Sequence, residues 1–543
     1  MSDADLEVEF REIVAAVGRA DRPRAIVLAT AALDHGIGHP LVLLLAAEGF
    51  EAEGRFAEAL DLLDEAVEVA PDAAEAWRRY GALLARQNRL PEGLAALEKA
   101  LALEPDVYAA RLDAGATCFK LADLDGATRH YRRASELAPE QAEPLAALAA
   151  IAARREDYDF AREAAKAALD RDGAALSAHM ALARSDLRAG DAMAAAARMG
   201  ELLTRADLPD DARVGALDLR AEAFDALSRT AEAFADYEAR NAILTRLHGP
   251  RIAAELDERR PDRARRLAAF LARAPEGGWA SSAGPDLAGR AMAGGHVFLL
   301  GFPRSGTTLL EKALAGHPRI VTLEEIDHLE TVAGSQLADD AALARLTGLS
   351  PADAAPLREA YWRGVAAGTD IVGRMVVDKL PLHTANLPLI AKLFPDARIL
   401  FALRDPRDVV FSCFRRRFQM NAAMFEFLTL KGAAAYYDAV MALGEACRSR
   451  MPLKVREVRH ESLVADFDGE MRAILAFLGL DWDEGVRGFA GRAKAALRTP
   501  SDPQVARGLN SEGLGQWRRY ANELRPVLRD LEPWVRLFGY PAD

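Results

Sequence analysis

Pro71, Pro105 and Pro139 stand 34 residues apart, and a regular period of this length constrains the fold more than any other feature of the chain. Five positions before each proline is a small residue (Ala66, Ala100, Ala134), and twelve before is another (Ala59, Gly93, Ala127). The next unit keeps Ala161 and Ala168 and has Gly173 in place of the proline. Gly81 and Gly115 repeat the same interval. Small residues let antiparallel helices approach closely, and proline stops the second helix of a pair before the next pair begins. The period predicts stacked helix pairs, with Gly81 and Gly115 where the first helix of a pair meets the second.

A 34-residue helix pair with this pattern resembles the tetratricopeptide repeat. The composition suits it: 51% of residues are hydrophobic but only 7% aromatic, so the apolar content is mainly small and aliphatic, as close-packed helices require. The pattern continues with lower fidelity upstream to about residue 8 and downstream to about residue 245, giving about six or seven helix pairs and an α-solenoid over residues 1–249. Such arrays curve around a concave face, which serves either to dock a protein or peptide or simply as a scaffold for the rest of the chain. Trp77, Tyr80, Tyr108 and Tyr131 either line that groove or pack between helices. Residues 250–294 pass from the Arg-rich ERRPDRARRLAAF to the Gly, Ser and Pro of EGGWASSAGPDLAGRAMAGG and read as a connecting segment.

A net charge of −13 argues against a general nucleic-acid binder, so any anion site has to be built locally. Cys118, Cys413 and Cys447 are too few and too scattered for a disulfide framework or a Cys-x-x-Cys metal site. The acidic N-terminus lacks a signal-peptide pattern, and no apolar run is long enough for a transmembrane segment. These features lead us to expect a cytoplasmic protein.

From residue 295 the chain changes class. His296 to Leu300 (HVFLL) has β character, GFPRSGTT follows, and LLEKALAGH is helical: strand, glycine-containing loop and helix start make an anion cradle. Gly301 and Gly306 have the spacing of the phosphate-binding P-loop, but Thr307 stands where an ATP or GTP enzyme carries Lys. The loop therefore suits a metal-free anionic donor held by backbone N–H groups, Arg304 and hydroxyls better than Mg–nucleotide hydrolysis. About a hundred residues on, ARILFALRDPRDVVFSCFRRRF reads as a strand over 397–403, with Arg404 at its carboxyl end, Asp405-Pro406 opening a helix and Ser412 two turns into it.

The pair PRSGTT and LRDPRDVVFS resembles the 5′-phosphosulfate loop and the 3′-phosphate site of sulfotransferases, most closely the protein-tyrosine sulfotransferases and related repeat-bearing bacterial enzymes. The similarity covers about residues 295–540. It implies an α/β domain, P-loop-like with a mostly parallel sheet, over 295–543, and 3′-phosphoadenosine 5′-phosphosulfate as sulfuryl donor. It assigns Arg304, Ser305, Gly306, Thr307 and Thr308 to the 5′ end of the donor, and Arg404, Ser412 and Arg416 to its 3′-phosphate. It adds His460 and, in a late donor-covering segment, Gln504, Val505, Arg507 and Asn510, with Ser501 and Trp517 in the same stretch. Two residues depart from the family pattern: Gln516 precedes Trp517 where a Lys or Arg is usual, and His460 replaces a Tyr.

Sulfuryl transfer to a hydroxyl needs a base at the acceptor, cations or donors on the leaving oxygens, and in-line geometry. The same resemblance makes Glu325 the base, with Glu324 as the fallback, and puts Lys379 and Ser501 on the leaving group. Each has a plainer alternative. Thr322 and Glu325 have the spacing of a helix capping box, Lys379 reads equally as a solvated lysine, Ser501 as a turn residue in a Pro-rich stretch, and Arg415 to Arg417 as a solvated face. The histidines show no paired metal-ligand spacing, so no metal is expected. The sequence thus predicts an α-solenoid followed by a sulfotransferase domain acting on a hydroxyl, with tyrosine in a docked protein or peptide as one acceptor. Alternatives are a carbohydrate or small-molecule sulfotransferase, a P-loop kinase or NTPase, and a repeat-based binding protein with an inactive transferase half.

Overall fold

Pro71, Pro105 and Pro139 each lie in the turn that separates one helix pair from the next, as their period requires. The computed structural model describes residues 3–275, 279, 286, 289, 292–495, 505–509, 511 and 513–542. The chain divides into two compact units, residues 1–227 and 228–543.

The first unit is helical throughout its described residues, from α1 (Asp3–Gly18) to α13 (Asp210–Ala226). Glycine is needed where the pairs approach most closely. A Cβ on Gly81, in α5 (Ala74–Arg86), would lie 2.7 Å from the carbonyl oxygen of Gly93 in α6 (Leu90–Leu103). One on Gly115, in α7 (Tyr108–Lys120), would lie 3.0 Å from the Tyr131 ring in α8 (Leu124–Leu137). Further along, the core is almost wholly alanine, with Ala161, Ala164, Ala165 and Ala168 packed on Ala149, Ala178 and Leu182. Three of the four aromatic residues pack: Trp77 and Tyr80 join the cluster around Leu43 and Ala76, Tyr131 is buried beside Cys118, and the Trp77 indole donates to Pro71 O at 2.9 Å.

The structure adds a second 34-residue rhythm. Ala20, Gly54, Asn88, Ala122, Glu156 and Gly190 all have positive φ, between 57° and 82°, and each sits in the turn inside a helix pair. After Ala122, Glu156 and Gly190 the chain closes back five positions, with Asp123 N donating to Cys118 O, Asp157 N to Ala152 O and Asp191 N to Asp186 O, each at 2.9 Å. This is the Schellman helix ending. The same three aspartates then cap the next helix through their side chains, on Gly126 N, Phe160 N and Ala194 N. The next positive φ is at Ser228, four residues late, after α13 has run to 17 residues instead of the 13 of α11 (Leu176–Arg188).

The second unit begins upstream of the boundary read at residue 249. Helices α14 (Thr230–Glu255) and α15 (Arg260–Arg273) belong to it, so part of the stretch 250–294 is a helix with Pro261 in its first turn instead of a connecting coil. Five strands, β1 (Gly295–Leu300), β2 (Ile320–Thr322), β3 (Met375–Lys379), β4 (Arg398–Leu403) and β5 (Lys454–Arg459), form a parallel sheet in the order β2-β3-β1-β4-β5. From β1 the chain goes to the edge strand β2, returns to β3 beside β1, and then crosses to the other side to add β4 and β5, so the order reverses at β1. Open α/β sheets bind ligands at the carboxyl ends of strands flanking such a reversal. Helix α16 (Thr307–Leu314) follows β1, and α17 (Pro406–Arg415) follows β4. Helix α14 braces α17: Arg240, fully buried, donates to Phe414 O and Arg415 O at 3.2 and 3.0 Å, and Asn241 donates to Phe414 O at 3.1 Å. These donors satisfy carbonyls that a helix C-terminus otherwise leaves open, and the cation suits the negative end of the helix dipole. Helices α18 (Leu430–Arg450) and α19 (Ala521–Leu537) complete the packing around α17.

Candidate active site

The loop after β1 is shaped by two glycines. Gly301 has φ 149°, and a Cβ there would come within 2.6 Å of Ala402 O on the neighbouring strand; Gly306 has φ 98°, and a Cβ there would meet His460 Nδ1 at 2.6 Å. Between them Arg304 also takes a left-handed conformation, φ 73°. Ser305 turns its hydroxyl inward, donating to Phe302 O at 2.7 Å, so it closes the loop instead of facing outward. Thr307 and Thr308 open α16, whose N-terminus carries unpaired N–H groups and the positive end of the helix dipole.

Arg304 is the hinge between the two sequence motifs. Its Nε donates to Ser412 Oγ at 3.0 Å across 108 positions, and its carbonyl accepts from Arg404 Nη1 at 3.1 Å. Arg404 also donates to Gly513 O, which ties the late segment to the site. Arg416, at the end of α17, adds a third positive charge. Burial, and then the repulsion of Arg416 and Arg404, push the Arg304 guanidinium down to about 9. Asp408 lies 3.9 Å from Arg404 and accepts from the backbone N–H groups of Gly515 and Trp517 at 2.6 and 2.9 Å. Arg304, buried beside Arg404 and Arg416, gathers positive charge that favours an anion with more than one charge.

Arg304 and Arg404 wall a cleft of about 620 Å³ that also meets Gly306, Thr308, His460 and Val505. Burial and the two arginines push His460 down to about 3, so the ring is neutral, and its buried Nδ1 has no hydrogen-bond partner among the described residues. Gln516 accepts a hydrogen bond from Arg415, and Arg407 stacks 3.8 Å over the Trp517 ring. Arg507 lies on the same late segment, whereas Ser501, Gln504 and Asn510 fall outside the described residues.

Lys379 centres an ion triad with Glu311, which is buried, and Glu325, which is exposed. Lys379, the last residue of β3, is fully buried, with its ammonium 2.7 Å from Glu325 Oε1 and 3.1 Å from Glu311 Oε2. Burial pulls the Lys379 ammonium down, but Glu311 and Glu325 outweigh it and hold it above its ordinary value. Lys379 is therefore not a solvated lysine. Glu325 does not cap a helix: its carboxylate is on Lys379, and the short helix Glu330–Ala333 is opened by Asp327, which accepts from Glu330 N at 2.8 Å. Glu324 turns away, with φ 53°, to pair with Lys312 at 3.3 Å.

Glu325 also lines a second cleft, of about 1510 Å³, together with Arg260, Arg263, Asp327, His383 and Tyr436. Behind it runs a buried polar chain: His296 Nε2 lies 2.9 Å from the Tyr361 hydroxyl, which donates to Asp378 at 2.7 Å. Burial pushes Asp378 up to about 7. Glu311, His383, Asp378 and the α15 arginines were not singled out from sequence. Glu311 and Asp378 adjoin motif residues, but nothing in the pattern marks them as buried.

A parallel sheet with a glycine loop that lacks the nucleotide-hydrolase lysine, three clustered arginines and a lysine held by two carboxylates defines an α/β domain of P-loop-like topology, which follows a helical repeat array in the sequence. Residues 296–484 match the Sulfotransferase family, and residues 40–83 match the tetratricopeptide repeat. An uncharacterized protein of Aquifex aeolicus is 26% identical over 265 residues, covering 46% of this chain and 34% of the relative. Protein-tyrosine sulfotransferase 2 of Gallus gallus is 26% identical over 259 residues, covering 45% of this chain and 69% of the relative. Among solved structures, a tetratricopeptide repeat protein from Parabacteroides merdae matches with a TM-score of 0.36 at 15% identity, covering 44% of this chain and 93% of that one. The chain thus spans about a third of the first of these relatives. No described helix is long and apolar enough to cross a membrane.

Proposed function

We propose that this protein is a sulfotransferase that moves the sulfuryl group of 3′-phosphoadenosine 5′-phosphosulfate to an acceptor hydroxyl, with tyrosine in a protein or peptide as the acceptor class. The observation that carries the reading is the Lys379–Glu325 pair at 2.7 Å beside a cationic loop that lacks the nucleotide-hydrolase lysine. The α16 N-terminus, Arg304 and the Thr307 and Thr308 hydroxyls bind the 5′-phosphosulfate; Arg404, Ser412 and Arg416 bind the 3′-phosphate. The Arg304–Ser412 bond couples the two ends, so a donor with both phosphates is favoured over one with a single anionic end.

The acceptor enters through the larger cleft. As its oxygen attacks sulfur in line, the bond from sulfur to the bridging phosphate oxygen breaks and the hydroxyl proton passes to Glu325. Lys379 turns its ammonium to the bridging oxygen as charge develops there, leaving a sulfate ester and 3′,5′-bisphosphoadenosine. The family match over 296–484 and the protein-tyrosine sulfotransferase relative support this assignment, and the repeat array suits presentation of a macromolecular acceptor. Incubating the protein with 35S-labelled donor and tyrosyl peptides, glycans and small phenols tests it. Label on the peptides, lost in Glu325→Gln, is expected; label on glycans or phenols alone overturns the tyrosyl assignment, and no transfer to any acceptor overturns the sulfotransferase reading.

A further inference from the structure

Glu311 is a carboxylate for which the transfer chemistry above has no use. It sits in α16, among the buried Leu309, Leu310, Ala313 and Leu314, and is 1% exposed. Neither of its oxygens accepts a hydrogen bond from a described residue, and its ion-pair partner is the Lys379 ammonium at 3.1 Å. An ionised carboxylate in such surroundings costs several kcal/mol unless a cation stays beside it. Burial pushes Glu311 up, and Lys379 opposes that shift. The neighbouring Lys312 is engaged with Glu324 at 3.3 Å, and the charges that act on Lys379 are Glu311 and Glu325.

The two carboxylates on Lys379 differ in one decisive respect. The Glu325 side chain is 42% exposed at the acceptor cleft, where it meets solvent and acceptor; that of Glu311 is sealed at 1%. Once Glu325 has taken a proton, its charge no longer supports Lys379. A fully buried ammonium facing only neutral groups gives up its proton readily. Without Glu311, Lys379 would then be a neutral amine at the moment when the bridging oxygen needs a cation.

We propose that Glu311 is a positioning residue that keeps Lys379 charged and aimed while Glu325 is protonated by the acceptor. This rests on the reading above, in which Glu325 is the base and Lys379 serves the leaving oxygen. The proton balance is simple: the acceptor proton ends on Glu325, Lys379 keeps its own three, and Glu311 stays ionised throughout.

The test compares wild type, Glu311→Gln and Glu311→Asp. The first readout is the pH profile of transfer from labelled donor. In Glu311→Gln, kcat falls by about 100-fold at pH 8 while the donor KM stays within about threefold, because the loss acts on the step and not on donor binding. The basic limb of kcat moves down by at least about one pH unit, and Glu311→Asp restores part of both. The second readout needs no turnover: the 13Cε resonance of Lys379, assigned with Lys379→Met in 13C-lysine-labelled protein, titrates at lower pH in Glu311→Gln than in wild type. An unchanged basic limb, or a resonance that titrates as in wild type, overturns the proposal. If wild type transfers nothing but the resonance still shifts, the ionic role of Glu311 stands and the transferase reading falls.

Discussion

Removing the phosphate-loop arginine should make the ligand-free protein more stable, not less. A buried guanidinium driven down to about 9 sits in an environment that disfavours its charge by roughly 5 kcal/mol. Arg304→Met keeps the length of the side chain and removes the charge. Against that gain stand the charge-assisted bond to Ser412 at 3.0 Å, about 1.5–3 kcal/mol, and the remaining polar contacts of the guanidinium, so a net stabilisation of no more than about 2 kcal/mol is left. The sign can also be checked by pH. Because the folded-state value lies below the unfolded one, the penalty is full below pH 9 and fades as pH rises through it, so wild type gains stability between pH 8 and pH 10 relative to Arg304→Met. Five of the six tryptophans lie after residue 228, so intrinsic fluorescence during heating reports mainly on the second unit. At about 2 °C per kcal/mol for a unit of this size, the midpoint should rise by up to about 4 °C without ligand. The same substitution should abolish stabilisation by 3′,5′-bisphosphoadenosine. A midpoint that falls without ligand would refute the claim that the loop stores cationic repulsion for an anion to relieve.

Other changes probe the rest of the molecule. Gly81→Ala places a methyl 2.7 Å from a backbone carbonyl and should cost the repeat array about 1–3 kcal/mol, read by circular dichroism during urea unfolding. Glu156→Gly, at a turn with φ 63°, should stabilise the array by about 1 kcal/mol in the same assay. Lys379→Ala strands Glu311 in the core and should lower stability by about 3–5 kcal/mol at pH 8; Lys379→Ala combined with Glu311→Gln should recover much of that loss. Asp378 is raised to about 7 in the fold, so its contribution is most favourable near pH 4 and is lost as pH rises through 7; Asp378→Asn should flatten that part of the stability profile.

The period of prolines and small residues was enough to read stacked helices, because a 34-residue pattern reflects contacts that every unit repeats. The left-handed turns were not legible: Ala122 and Glu156 are not turn-forming residue types, and their φ is imposed by the helix endings on either side. The four-residue slip before Ser228 was hidden for the same reason. Helix α15 was mistaken for linker because its Arg-rich sequence adjoins a Gly- and Ser-rich stretch; its burial of Ala264, Leu267 and Leu271 depends on tertiary contacts. In the site, Arg304, Arg404 and Ser412 were legible as motifs, yet the bond joining Arg304 to Ser412 spans 108 positions and follows from the strand order β3-β1-β4. Glu311 was invisible because an eight-residue helix is too short for periodicity to separate a buried face from an exposed one.

The measurement that bears most directly on the central claim is thermal unfolding of the second unit with 3′,5′-bisphosphoadenosine beside Mg–ATP. At 100 times its dissociation constant a ligand adds about 2.7 kcal/mol to the unit that binds it. The bisphosphate should stabilise the unit, Mg–ATP should not, and Arg304→Met should remove the effect. Stabilisation by Mg–ATP with none from the bisphosphate would contradict the claim and make the loop a nucleotide-hydrolase site.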